Sequence, residues 1–127
     1  MESLVPYSAA VYGVLACVAA LFQVALALGA PWGHLTLGGR WPGRLPVPAR
    51  VGAVVLGGLL VAMAGVTAGA GGLFAPFGPG WLIWVAVAVS LISAQLNLMT
   101  PSIAERRLWA PVTTVMAAAV LVVAIWG

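Results

Sequence analysis

Few side chains in this sequence could do chemistry, and most of them fall in two stretches. The segment APWGHLTLGGRWPGRLPVPAR, Ala30 to Arg50, carries the single histidine, His34, with Arg40, Arg44 and Arg50. The segment TPSIAERRLW, Thr100 to Trp109, carries Glu105, Arg106 and Arg107. Close to these in the chain are the polar residues Gln23, Ser93, Gln95, Asn97, Thr113 and Thr114, set inside otherwise apolar runs. An amide buried in hydrocarbon without a partner costs several kcal/mol. These groups must therefore face protein, water or a ligand. The expected site is a shallow pocket with Gln23 and Asn97 as its floor and His34, Arg40 and Arg106 as its rim. Gln95 lies at the same depth and belongs to the candidate set, although Ser90, Ser93 and Asn97 share a helix face that it does not. The competing expectation is a set of interhelical hydrogen bonds with no ligand.

The same residue types exclude much. One histidine and two acids, Glu2 and Glu105, do not make a metal or haem centre, so no metal and no cofactor are expected. An imidazole such as that of His34 would suit proton handling; a loop imidazole bonded to backbone is the plainer reading. Gly38-Gly39-Arg40 lacks the preceding strand and the Lys-Thr or Lys-Ser of a phosphate-cradling loop. There is no Ser/His/Asp set, no carboxylate pair and no CxxC, which argues against an enzyme. Cys17 is the only cysteine and reads as a small packing residue. No ionisable group falls at mid-membrane depth, which weighs against a proton-driven exporter. Glu105-Arg106-Arg107 could hold a lipid phosphate, or serve topology and helix capping: Ser102 and Glu105 have capping-box spacing.

The elements that must position these residues are membrane helices. The 127 residues are 64% hydrophobic and 6% charged, whereas a soluble domain carries roughly a quarter charged residues. The reading is all-α, one domain over 1–127, with spans at about 7–28, 49–70, 80–99 and 106–126. A long loop joins the first two spans, and the turn Gly71 to Pro79 joins the second and third. The leader MESLVP has Glu2 and no Lys or Arg, so the first run reads as a span rather than a cleaved signal. Pro111 falls inside the last span and implies a kink or loosened turn near Ala110. Gly58, Ala62, Gly65 and Gly69 lie on one face of the second span, a stripe suited to close helix packing. All five arginines lie in the two loops that a four-span chain places on one side. The positive-inside rule makes that side cytoplasmic and puts both termini outside. Arginines next to apolar runs are topology signals, and no nucleic-acid partner is expected.

The block Ala30-Pro31, Gly33, Gly38-Gly39, Leu45-Pro46 and Arg50, with Glu105-Arg106 and Pro111-Val112, resembles a group of small bacterial integral membrane proteins. The likeness covers the two loops and the flanking helix ends. It implies a four-helix membrane fold and assigns no activity. With a composition rich in Ala, Gly, Val and Arg, it points to a bacterial inner membrane. The leading functional expectation is a small non-enzymatic subunit or assembly helper, partnered by lipid and by another membrane protein or itself. The alternatives are lipid or isoprenoid binding or chemistry at the cytoplasmic pocket, and small-solute transport.

Overall fold

The computed structural model describes residues 1–76 and 78–127. It is all-helical, with no strand among the described residues. Four helices, α1 (Val5–Ala27), α2 (Val47–Ala70), α3 (Leu82–Met99) and α4 (Ile103–Trp126), form a bundle. Each is long and apolar enough to cross a membrane. A 3-10 turn, Glu2–Leu4, leads into α1, and Pro6 sits in the first turn, where its missing N–H costs nothing.

The bundle follows from residue size. Buried positions on α1 include Ala9, Tyr12, Ala16, Ala19 and Ala20, with Leu26 at its loop end; on α4 they include Ala117, Ala119, Val120 and Val123. In lipid no hydrophobic drive brings helices together, so small side chains that let backbones approach must supply the contact. Many of the larger apolar side chains point outward instead: Val14 is 63% exposed, Leu21 69% and Val55 68%. That surface suits hydrocarbon, and the chain reads as a multi-pass membrane protein. α1 packs against α2 and α4, and α3 packs against α4; α2 packs more loosely against α3 and α4.

Both ends of the α1–α2 connection, residues 28–46, are fixed by backbone chemistry. α1 stops in a Schellman turn: Gly29 takes φ +100°, and the N–H groups of Gly29 and Ala30 bond to the carbonyls of Leu26 and Ala25. Arg50 Nε donates to the Ala27 carbonyl at 2.9 Å. The Arg44 guanidinium lies over Gly29. Two cations thus meet the negative end of the helix dipole. Inside the connection the Gly33 and His34 N–H groups bond to the Gly43 and Pro42 carbonyls. A Cβ on Gly33 would overlap the Trp41 carbonyl.

Several boundaries differ from expectation. α4 begins at Ile103, ahead of the expected Arg106, because Ser102 caps it: its Oγ accepts from the Glu105 N–H at 3.2 Å. α4 runs through Pro111 as one helix. Pro111 removes one N–H, and the Thr113 hydroxyl donates to the Trp109 carbonyl at 2.7 Å. The packing face of α2 also differs from the expected stripe. Gly58 and Ala62 are exposed, Gly65 is half-buried and Gly69 is buried. The glycine that meets α1 is Gly57, where an added Cβ would stand 3.4 Å from the Gln23 Cβ. Small residues flank both faces of α2, so spacing alone does not select between two stripes one residue apart. The expected turn Gly71 to Pro79 includes Phe77, which lies outside the described residues.

Candidate functional site

At the loop end of the bundle lies a cavity of about 660 Å³, walled by all four helices and covered by the α1–α2 connection. The covering segment is Leu35 to Gly38. It is held down from α4. The Glu105 Oε2 accepts from the Gly38 N–H at 3.2 Å, and the Ser102 hydroxyl donates to the His34 carbonyl at 2.6 Å. In a capping box the glutamate would reach back to the N-cap N–H. Here Ser102 caps as expected, its own N–H goes to the Thr100 hydroxyl at 3.3 Å, and Glu105 is spent on the loop. Leu37, Gly38 and Gly39 all take positive φ (51°, 69° and 73°), which turns the Gly38 N–H toward α4. Glycine accepts this conformation freely; Leu37 does so at some strain. An aromatic staple reinforces the cover. Trp32 stacks on Phe22 of α1 at 6.1 Å, and Phe22 meets Trp109 of α4 edge-on at 4.8 Å.

The cavity is apolar in its body and polar toward the cover. Leu56, Leu60 and Met63 of α2 face Ser90, Ser93 and Asn97 of α3 across it. At its deepest point the Tyr12 hydroxyl shares a 2.9 Å hydrogen bond with Ser90 and lies 3.8 Å from the Met63 sulfur. Ser90 is about nine residues from the loop end of α3, or roughly 14 Å in. Nearer the cover stand Gln23, Asn97, Thr100 and Glu105. Gln23 is 8% exposed, and no hydrogen bond from another described residue reaches its amide. Asn97 spends its Nδ2 on the Ser93 carbonyl at 2.8 Å, leaving Oδ1 free.

Of the residues singled out in the sequence, Gln23 and Asn97 line this cavity together, with Ser90, Ser93 and Thr113. His34, Arg40, Arg106 and Gln95 do not reach it. His34 is exposed, with Nδ1 3.3 Å from the Pro42 carbonyl. Arg40 lies 4.8 Å over the Trp41 ring. Arg106 donates to the Thr100 carbonyl at 2.7 Å. Gln95 is exposed and its amide donates to the Met99 sulfur at 3.1 Å. The rim is therefore Leu35 to Gly38 and Glu105, not His34, Arg40 and Arg106. The arginines are drawn off to carbonyls and a ring at the surface, where a guanidinium keeps its hydration.

Sequence reasoning passed over Glu105 as a cap and missed Phe22, Trp109 and the Tyr12–Ser90 pair. The available signal for Glu105 was its isolation: it is the one acid in a chain whose other acid is at the N-terminal end. No group of His, Cys, Asp and Glu suited to a metal is present among the described residues. Comparison with protein-family models, curated proteins and solved structures finds no match.

Proposed function

We propose that this chain binds one amphiphilic molecule, a membrane lipid or isoprenoid, in the cavity beneath the α1–α2 connection, and carries no chemistry of its own. The observation that carries the reading is the Gln23 side chain: the residue is 8% exposed, its amide has no hydrogen-bond partner among the described residues, and it lies at the polar end of an otherwise apolar cavity. An amide that opens on such a cavity without a protein partner takes its hydrogen bonds from water or from a ligand head. The looser packing of α2 against α3 suits entry from the bilayer. By the positive-inside rule the arginine-rich loop end is cytoplasmic and both termini are outside, in a bacterial inner membrane. The test is quantitative analysis of the amphiphiles that co-purify with the full chain in mild detergent. One species near one mole per mole supports the reading; a bulk-lipid mixture without stoichiometry refutes it.

A second reading, a small subunit or assembly helper, draws on the exposed small-residue patch of Gly58 and Ala62. Small residues on a lipid-facing surface let a further helix approach closely. Co-purification of a stoichiometric membrane partner supports this reading, and a monodisperse lone chain opposes it.

A further inference from the structure

Glu105 is 7% exposed and lines the cavity. A carboxylate offers two oxygens and about four acceptor sites. One oxygen takes the Gly38 N–H. No other donor among the described residues reaches the carboxylate, and no arginine pairs with it. Arg106, its neighbour in sequence, is turned to the Thr100 carbonyl. Arg40 is on Trp41, and Arg44 and Arg50 are at the end of α1. Arg107 is exposed. Buried charges in proteins are paired or bind a cation. This one is paired with neither, and it is the only formal charge among the residues that line the cavity.

The groups around it are neutral and can accept. Asn97 presents its oxygen and its second N–H, the first being used on the Ser93 carbonyl. The Thr113 hydroxyl proton is used on the Trp109 carbonyl, which leaves its lone pairs. Gln23 offers both a donor and an acceptor. The polar end of the cavity therefore carries one carboxylate among neutral polar groups and no cation. It lacks the positive charge that favours a phosphate.

Resting on the amphiphile reading above, we propose that the occupant is a single-chain or isoprenoid amphiphile with a protonated amine head. The ammonium sits between Glu105, the Asn97 oxygen and Gln23, and the chain runs down toward the Tyr12–Ser90 floor. The volume agrees: 660 Å³ lies within the range of about 300–1,000 Å³ for small-molecule sites.

The experiment uses the full chain in mild non-ionic detergent, titrated with stearylamine, stearyl alcohol and stearyl phosphate and read by native mass spectrometry. The expected result is one stearylamine per chain, bound about tenfold or more tighter than the alcohol or the phosphate, since a hydrogen bond to a charged group contributes that much. Glu105→Gln keeps an oxygen for the Gly38 N–H. It should bring stearylamine down to the alcohol's affinity and leave the alcohol unchanged. An amine preference that survives Glu105→Gln removes Glu105 as the recognising group. Equal binding of all three, or tightest binding of the phosphate, overturns the amine head and leaves the amphiphile reading intact. Binding of none overturns both. If Glu105→Gln does not fold, the order of the three probes on the unaltered chain decides.

Discussion

Replacing Gln23 with leucine should leave the ligand-free protein as stable as before or more so, and this sign separates a binding pocket from an interhelical hydrogen-bond set. Leucine retains the first side-chain carbons that pack toward Gly57 and deletes only the amide. In a hydrogen-bonded set, losing the amide would orphan its partners and cost about 1–3 kcal/mol. In the structure the amide has no partner among the described residues, and 8% of the residue is exposed. Its removal then relieves a desolvation penalty of the same order, ~1–2 kcal/mol at most, because water in the cavity already recovers part of it. The assay is reversible unfolding of delipidated protein in mixed micelles, followed by circular dichroism, with amphiphile binding measured in parallel. Unchanged or raised stability with weakened binding is the expected pair. A loss above about 1 kcal/mol would show that Gln23 holds helices together, and the pocket reading would fail.

Three further predictions rest on packing. Gly57→Leu should destabilise the bundle strongly, since its side chain would enter the α1 contact at the Gln23 Cβ, whereas Gly58→Leu should be tolerated because its surroundings are open; thermal melting in detergent compares the two. Gly33→Ala should cost about 1–3 kcal/mol or displace the cover, as overpacking does, because the added methyl overlaps the Trp41 carbonyl; proteolysis of the connection reports the displacement. A double-mutant cycle of Tyr12→Phe and Ser90→Ala should give a coupling of about 0.6–1.7 kcal/mol, the range for hydrogen bonds within membranes, and a value near zero would remove the 2.9 Å bond from the account.

The four helices were legible because the apolar runs are long and the breakers unambiguous: Gly29 and Pro31 after the first run, Pro46 and Pro48 before the second. The shared face of Ser90, Ser93 and Asn97 was legible from helical spacing, and that face lines the cavity. What spacing could not give was the direction of a long side chain. His34, Arg40 and Arg106 lie close to the opening in sequence terms, but a guanidinium reaches any of several carbonyls, and the nearest outward one wins. Glu105 ran the other way. Its capping spacing pointed to a local role, and the positive-φ run at Leu37 to Gly39 presented it with a loop N–H instead. That contact joins residues 67 apart in the chain, a separation no local pattern encodes. The choice of Gly57 over Gly58 depended on how α1 lies against α2, which again is set by the whole bundle.

The central claim is that the cavity beneath the α1–α2 connection holds a bound amphiphile. The most direct measurement fills it with protein. Ser93→Trp and Leu60→Trp each place an indole in the cavity from opposite walls. Native mass spectrometry then counts the amphiphile retained by each variant and by the unaltered chain. One bound molecule on the unaltered chain, and none on either variant with melting temperatures preserved, is the predicted result. Retention of the same molecule by both filled variants would place it elsewhere on the protein and contradict the account.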